Sequence, residues 1–462
     1  MKVTDLINLG TKALEMFDRH VTDNKIEPPM RAYIHHFPTT FEISEKSSRC
    51  SSSSEIIQKP DWSFIVFDFI KKVIVPLPEF SKVNQSIAKK YRVNINIMVG
   101  AGNEISQSAF WLERFIQRLI YEKLEGTITE DTIIEYASLF KSELELSSVD
   151  YHYIHQLDGI YLETDRIEIN DEVLLRKVEK SDLEYTRNIF YDTPRSPHMG
   201  LPSLIMEVNL PGKDETENHE YTNGVFNVLR LYKLGSIFSK ESISTKNSII
   251  WPGRTRRSWG HRNYSTFKKY TIYEHEIDLF INFFNRLGEG LNFDKDDKKF
   301  RSIYVSLDRY NSALLESAEI DRKLMTAVMG LESLFTFEKD RGENAFKLGI
   351  RIAKLFSHLN FNPDMIRRDI EKAYSYRNKV VHGSYVSDLI RKEMNELFPV
   401  ILNCLRISLI IFILKSQKIS KDKLIEKIDR ATIDDIDNEK LKKMMEDEIS
   451  TFGELVLCKF ER

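Results

Sequence analysis

Arg377 and His382 are the two residues of this sequence whose types and spacing could do chemistry together. They lie in the segment Ala373 to Gly383, AYSYRNKVVHG, with four residues between them. A histidine side chain titrates near neutral pH and can take up or release a proton during a reaction. A planar arginine side chain can hold two oxygens of an anion and stabilise developing negative charge. The pair could therefore combine proton transfer with charge stabilisation.

The spacing alone is not specific, because the chain repeats it elsewhere. The other pairs are Arg31 with His36, Arg256 with His261 and, with six intervening residues, Arg351 with His358. Local context favours the pair at Arg377, since a polar residue, Asn378, follows the arginine directly and the segment ends a predicted amphipathic helix. The apolar residues of that helix recur every three or four positions, at Ile370, Ala373, Tyr376 and Val380.

The end of this helix decides whether the two side chains can meet. On an ideal helix, five residues rotate His382 about 140° away from Arg377, so the two could not share a face in mid-helix. Gly383 is a typical helix stop and is placed to end the helix near His382. A helix that ends there can relax the constraint.

The elements that would position the pair are mainly helices. From Phe300 onward almost the whole sequence has helical periodicity, and short connections favour antiparallel neighbours in a bundle. The predicted helices span about 300–318, 320–337, 344–358, 363–381, 388–416 and 420–449. The apolar run Ile407 to Leu414 is too short to span a bilayer and predicts a buried helix.

The part of the chain before this bundle mixes strand and helix patterns. Predicted strands are Ser63 to Val75, Arg92 to Val99 and segments between Asp158 and Val208; predicted helices are Ile105 to Leu124, Glu130 to Leu146 and Gly224 to Leu234. The serine-rich segment Ser47 to Ser54 predicts a flexible loop. The expected fold class is therefore α+β, with a mixed α/β N-terminal region at 1–215 and a helical region at 216–462 whose core is about 300–416.

Beyond these patterns, the sequence resembles the Apea-like branch of the HEPN domain family. The segment RNKVVHG fits the HEPN motif of an arginine and a histidine separated by four to six residues. The stretches that carry the resemblance are 308–335, 347–356 and 373–383. The resemblance is specific over about 300–416, weaker over 158–240, where 159–184 and 225–235 are similar, and absent over 1–150.

The resemblance implies an all-α domain that forms a homodimer, with both copies of the motif meeting at the interface. It also implies metal-independent cleavage of RNA without a cofactor, in antiphage defence by abortive infection or as a toxin. The catalytic residues that it implies are Arg377, Asn378, His382 and, in an upstream helix, Glu332. Glu332 matches an acidic position that can pair with the motif arginine.

Cleavage of this kind uses the 2′-hydroxyl of RNA as the nucleophile. His382 would remove the proton of that hydroxyl or protonate the leaving oxygen, and the histidine of a partner copy would take the other role. Arg377 would stabilise the phosphorane transition state, and Asn378 would orient the phosphate or the histidine. The products would be a 2′,3′-cyclic phosphate and a free 5′-hydroxyl, so DNA should resist.

A second candidate for contact with RNA is the segment Trp251 to Arg262, WPGRTRRSWGHR. Arginines beside aromatic rings can bind single-stranded RNA by phosphate contact and base stacking. The expected RNA-binding residues are Arg254, Arg256, Arg257, Trp259 and, within the motif, Lys379. The alternative is an exposed loop that two tryptophans anchor.

Composition limits the remaining possibilities. The formal net charge of −3 argues against a protein that coats nucleic acid over its whole surface, so contact with RNA should be local.

The three cysteines lie far apart without a CxxC pair, which fits a reducing cytoplasm. Neither His35 with His36 nor His152 with His155 has further ligands at suitable spacing, so no metal site is expected. The N-terminus lacks the apolar core of a signal peptide, and no membrane contact is expected.

Two hypotheses from other classes stay open. In the first, a helical dimer binds RNA or acts as a scaffold without cleaving, and Arg377 and His382 stabilise its interface. In the second, which has less support, the chain is the partner of a nucleotidyltransferase. For the nuclease, transfer RNA is a candidate substrate, and the N-terminal region would be a sensor or recognition module. A phage-derived trigger or an inhibitory partner would control such an enzyme in a healthy cell.

Overall fold

The computed structural model describes residues 2–43, 48–91, 96–99, 103–145, 151–188, 202–210, 215–246, 256–259, 268–291, 297–337 and 342–457. Helices and mainly antiparallel strands are both present, so the predicted α+β class is confirmed. Most of the buried apolar residues of these ranges form two hydrophobic cores. The first core contains residues between Leu6 and Phe140, and the second contains residues between Tyr151 and Met445.

The first core is built from helices that each bury one apolar face. They are α1 (Val3–Asp23), α2 (Ser63–Phe69), α3 (Pro78–Tyr91), α4 (Gln107–Leu124) and α5 (Glu130–Glu145). In α1 the buried residues recur every three or four positions, at Leu6, Leu9, Ala13 and Phe17. The helices predicted at 105–124 and 130–146 are confirmed as α4 and α5.

The strand predicted at Ser63 to Val75 is wrong. This segment forms α2, followed by one wider helical turn at Ile70–Ile74. Its β-branched and aromatic residues favour strands in general, but several of them share one helical face and are buried in the first core. These residues are Val66, Phe69, Ile70 and Ile74. Packing against this core therefore outweighs the local propensity.

In the described residues the strands form a three-stranded sheet built on a long hairpin, a six-stranded antiparallel sheet and two small pairs. They are β1 (Met30–Ile43), β2 (Ser48–Pro60), β3 (Asn96–Val99), β4 (Asn103–Ser106), β5 (Tyr151–Asp158), β6 (Ile160–Leu162), β7 (Arg166–Glu168), β8 (Val173–Arg176), β9 (Tyr185–Asn188), β10 (Leu204–Leu210), β11 (Phe238–Lys246), β12 (Arg256–Trp259) and β13 (Tyr270–Ile272). In the described chain the larger sheet has the order β12-β11-β5-β10-β8-β7, and the small pairs are β3 with β4 and β6 with β13. The strands predicted between Asp158 and Val208 are confirmed, as is the end of the one predicted at 92–99. Residues 92–95 lie outside the described ranges.

The hairpin contradicts the loop predicted at Ser47 to Ser54. Residues from Ser48 onward belong to β2, which pairs with β1 in antiparallel register from Met30↔Pro60 to Ile43↔Ser48. On its other edge β1 pairs with β9. A serine-rich segment has little apolar surface, but its backbone groups can still complete a ladder beside an existing strand. The loop prediction is wrong for residues 48–54, and Ser47 lies outside the described residues.

From Ile277 onward the described chain contains helices only. With α6 (Glu215–Tyr232), which lies between β10 and β11, they are α7 (Ile277–Leu291), α8 (Arg301–Leu315), α9 (Ile320–Phe335), α10 (Asn344–Ser357), α11 (Pro363–Val381), α12 (Asp388–Ser416), α13 (Lys421–Ala431) and α14 (Asp435–Leu457). The predicted helical region at about 300–416 is confirmed. The single helix predicted at 420–449 is wrong, because Asp434 begins a new helix by accepting the N–H of Asp437 on its carboxylate at 2.9 Å.

The second core joins the sheet to the helical bundle. It includes residues of β5, β10, α6 and all the helices from α7 to α14. Arg406 of α12 is fully buried and donates to the carbonyl oxygens of Leu231 and Tyr232, at 2.7 and 2.9 Å. Its charge also suits the C-terminal end of the α6 dipole. The boundary predicted at residue 215 therefore falls inside this second core.

The helix α12 is, within the described ranges, the one helix long and apolar enough to cross a membrane. In its most apolar window, 89% of the residues are buried inside the protein. The run Ile407 to Leu414 belongs to this helix, and its predicted burial is confirmed. This burial is what the core helix of a soluble protein shows.

Candidate functional site

The helix α11 carries the motif and has clear signals at both ends. Its N-cap, Asn362, accepts the backbone N–H groups of Asp364 and Met365 on its side-chain oxygen, and Pro363 occupies the first helical position. At the other end, the N–H of Ser384 donates to the carbonyl of Lys379 at 2.9 Å, and the N–H of Gly383 donates to that of Val380 at 3.1 Å. These two bonds form a Schellman cap.

Gly383 makes this cap possible, because its φ of +67° is strained for any residue with a side chain. His382 is the last residue before this turn, and its backbone has left the helical conformation, with φ −85° and ψ 8°. Its side chain is exposed to solvent. The helix therefore ends at His382, as the sequence predicted, although the N–H of His382 still donates to the carbonyl of Asn378 at 3.0 Å in the helical pattern.

The side chain of Arg377 is held by three neighbours. Its Nη2 donates to Oε2 of Glu332 at 3.2 Å, and its Nη1 donates to Oδ1 of Asn378 at 3.0 Å. The guanidinium carbon lies 5.4 Å from the centre of the Tyr374 ring, within cation–π distance. Among the described residues, the Nε atom of Arg377 has no hydrogen-bond partner.

Glu332 lies on α9, one of the helices that pack against α11. The side chains of Arg377 and Glu332 are 22% and 18% exposed, so this ion pair is neither buried nor freely solvated. The pairing that the resemblance implied is thus present in the structure. The catalytic role of Glu332 stays a prediction.

An open cleft of about 360 Å³ borders the motif. It is lined by Ala345, Glu371, Tyr374, Ser375, Asn378, Lys379, His382 and Ser384. Its volume is at the small end of the range for ligand sites, about 300–1,000 Å³. The structure therefore brings Asn378, Lys379 and His382 to one cleft. Arg377 is hydrogen-bonded to Asn378, one of the residues that line it.

Several apolar side chains close in sequence to residues that line this cleft are exposed in the single chain. Tyr385 is 86% exposed, three residues after His382, and the other exposed side chains are Val381, Leu389 and, on α10, Phe346. Large contiguous apolar patches on a protein surface mark contact sites, whereas single exposed apolar residues are ordinary.

The loop between α11 and α12 is held by a contact across its two ends. The hydroxyl of Tyr376 donates to the carboxylate of Glu393, and Lys372 pairs with the same carboxylate at 2.6 Å. Burial, and then the hydrogen bond to Glu393, raises the pKa of Tyr376. These contacts fix the start of α12 relative to the residues that carry the motif.

Two of the other three arginines in this pattern, Arg351 and Arg31, have structural partners. Arg351 is buried and donates to both carboxylate oxygens of Asp429, at 2.8 and 2.9 Å, and to the carbonyl of Phe335 at 2.7 Å. Arg31 pairs with Asp61 at 2.6 Å. Arg256 lies on β12, and its partner in the pattern, His261, falls outside the described residues. All three side-chain nitrogens of Arg351 are thus engaged, which is not the case for Arg377.

The predicted RNA-binding residues divide between two places. Lys379 is exposed, lines the cleft and lies 5.7 Å from the ring of Tyr376. Arg256, Arg257 and Trp259 belong to β12, an outer strand of the six-stranded sheet that pairs with β11. Arg254 lies outside the described residues. Binding of RNA by any of them stays a prediction.

Sequence reasoning missed Tyr374 and Glu371 as members of the site. Tyr374 precedes Arg377 by three residues, and Glu371 precedes Asn378 by seven, so both are neighbours on a helix surface. That spacing could have identified them once α11 was predicted. Within the described ranges, no group of three or more His, Cys, Asp or Glu side chains is arranged to hold a metal ion.

Comparisons with known proteins found no relative of this chain. No protein-family model matches it, and no curated protein or solved structure matches it either. The HEPN resemblance therefore stays a prediction that rests on the residues quoted for it.

Proposed function

We propose that this protein is a metal-independent endoribonuclease of the HEPN type, with Arg377 and His382 as its catalytic pair. The observation that carries the proposal is the end of α11, where the Schellman cap leaves His382 exposed on an open cleft beside a restrained Arg377. Asn378 links the two, since it bonds to Arg377 and lines the same cleft.

The proposed reaction breaks the bond between phosphorus and the 5′-oxygen of the next nucleotide. The 2′-hydroxyl loses its proton to one imidazole, and its oxygen bonds to phosphorus. A second imidazole protonates the departing 5′-oxygen. A guanidinium has five N–H donors, of which Arg377 uses two on Glu332 and Asn378, so others remain for the phosphorane oxygens. The products are a 2′,3′-cyclic phosphate and a 5′-hydroxyl.

A homodimer would supply the two imidazoles that this reaction needs, because each chain carries one motif histidine. The exposed Val381, Tyr385 and Leu389 lie within seven residues of His382 along the chain and offer apolar surface for such a contact. In this arrangement the two copies of α11 would face each other across a shared cleft.

In the cell, such an enzyme would act in the cytoplasm in antiphage defence, or as a toxin, on transfer RNA or another RNA. Its activity would need restraint until a phage-derived trigger arrives or an inhibitory partner is released. The first core and its hairpin are the candidates for the sensor, since they lie outside the core that holds α11.

The test is cleavage of total cellular RNA by the purified protein in EDTA. The wild type is compared with His382→Ala and with His275→Ala, which removes an exposed histidine from another element. Because general acid–base catalysis contributes on the order of 100-fold or more, His382→Ala should lose at least that factor, while His275→Ala should cleave normally. The ends should carry cyclic phosphate.

Equal cleavage by the wild type and His382→Ala would remove His382 from the chemistry. If the pure protein cleaves nothing, the assay is repeated with extract from phage-infected cells. Silence of the wild type in that extract would reject the nuclease hypothesis.

The scaffold hypothesis is supported by a different observation, namely that both terminal nitrogens of Arg377 already have acceptors within the chain. In that case His382→Ala and Arg377→Ala should weaken the dimer, as measured by analytical ultracentrifugation. The wild type itself should not cleave RNA.

A further inference from the structure

The orientation of Arg377 depends on a residue that the motif does not include. Its bonds to Glu332 and Asn378 lie at the edge of the guanidinium and fix where its terminal nitrogens are. Bonds at the edge do not by themselves fix the tilt of the guanidinium plane. A neighbour that contacts the flat face is needed for that.

Tyr374 is an aromatic neighbour of Arg377 at cation–π distance. It is buried, it lines the cleft, and its ring centre lies 5.4 Å from the guanidinium carbon of Arg377. A tyrosine has few rotatable bonds, so a buried ring is a rigid surface for a flat cation. The two residues are three apart on α11, which places them on the same side of the helix.

Tyr374 also interacts with the carboxylate that pairs with Arg377. Burial, followed by the charge of Glu332 and hydrogen bonding to it, raises the pKa of Tyr374. One side chain thus has its ring within cation–π distance of the arginine and a pKa that responds to the charge of the glutamate.

We propose that Tyr374 is a positioning residue, which holds the plane of the Arg377 guanidinium so that its remaining N–H groups point at the phosphate in the cleft. This inference rests on the proposed function, because it assigns the purpose of that orientation. Tyr374 itself takes no part in proton transfer.

The same three residue types meet in the first core, which provides a matched control. The ring of Tyr136 lies 5.8 Å from the guanidinium carbon of Arg118, and its hydroxyl donates to Glu122 at 2.9 Å. Arg118 pairs with Glu122 at 2.6 Å. Substitution of Tyr136 therefore removes a similar set of contacts at a place outside the proposed site.

The experiment measures RNA cleavage by wild type, Tyr374→Phe, Tyr374→Met and Tyr136→Met. Methionine fills the space with a flexible chain and offers no ring, whereas phenylalanine keeps the ring. We expect Tyr374→Met to lower kcat on the order of tenfold with a smaller change in KM, because misplacement acts at the transition state. We expect Tyr374→Phe to recover most of this loss, and Tyr136→Met to cleave like the wild type.

An unfolding cycle gives a readout that does not depend on activity. Urea midpoints are measured for Tyr374→Met, Arg377→Met and the double variant. If the ring holds the arginine, the midpoint shift of the double variant will differ from the sum of the two single shifts. A double-variant shift equal to that sum overturns the proposal. Wild-type rates in Tyr374→Met also overturn it. If no variant cleaves RNA, either alone or with extract from phage-infected cells, the proposed function fails, while the cycle still decides whether Tyr374 positions Arg377.

Discussion

In the first core and again at the end of α11, a glutamate pairs with an arginine that lies over a tyrosine ring. We call Tyr136, Arg118 and Glu122 the first Tyr–Arg–Glu group, and Tyr374, Arg377 and Glu332 the second. In the first group the carboxylate is the centre, because Glu122 accepts Thr127 at 2.6 Å and Tyr136 at 2.9 Å and pairs with Arg118. The arginine of this group, Arg118, has a side chain that is 45% exposed to solvent.

In the second Tyr–Arg–Glu group the guanidinium is the centre. Glu332, Asn378 and the Tyr374 ring all contact Arg377, and two of these three residues line the cleft. A group whose contacts converge on a carboxylate satisfies that carboxylate and joins two helices. A group whose contacts converge on an arginine beside a cleft leaves an oriented cation with spare donors. Residue types alone do not distinguish the two cases.

The largest expected difference between the groups is in RNA cleavage. Arg377→Ala should lower the cleavage rate on the order of 100-fold or more, because it removes the cation proposed to stabilise the transition state. Arg377→Lys should recover little of this, since an ammonium lacks the planar fork that Tyr374 and Glu332 orient. The matched variant Arg118→Ala should cleave normally. Initial rates on a labelled RNA measure all three, and equal losses in Arg118→Ala and Arg377→Ala would contradict the comparison.

The parts of this site that the sequence predicted are those with local signals. The bounds of α11 and α12 follow from caps within a few residues of each end, at Asn362, Gly383 and Ser387. The position of His382 at a helix end follows from the same signals. These predictions needed no knowledge of distant residues.

The parts that the sequence did not predict depend on distant partners. Glu332 lies 45 residues before Arg377, and its pairing came from the family resemblance rather than from spacing. The boundary of the second core depends on contacts such as that of Arg406 with Leu231, which are 175 residues apart. The segment Ser63 to Val75 became helical because of the core it packs against. Periodicity within a segment cannot report any of these contacts.

For the free energy of unfolding, the order should be reversed, with the larger loss in the first Tyr–Arg–Glu group. Glu122→Gln removes the charge of a carboxylate that interacts with three side chains, and we expect a loss of about 1–2 kcal/mol in the free energy of unfolding. Glu332→Gln removes an ion pair with Arg377 at partial exposure and the charge that acts on Tyr374, and we expect about 0.5–1 kcal/mol. Urea unfolding followed by circular dichroism gives both values. A larger loss for Glu332→Gln would mean that the second group is the more structural one.

The smallest expected effect is a pH dependence of the first Tyr–Arg–Glu group. The hydrogen bond from Thr127, with further contributions from Tyr136 and Arg118, lowers the pKa of Glu122 below its ordinary value of 4.5, although burial opposes the shift. As the pH falls below 4.5, the unfolded chain takes up this proton before the folded chain does. The contribution of Glu122 is therefore present above pH 4.5 and lost as the pH falls through the folded pKa. The difference in urea midpoint between wild type and Glu122→Gln should shrink from pH 7 to pH 3, and a difference that stays constant would show that the charge of Glu122 does not stabilise the fold.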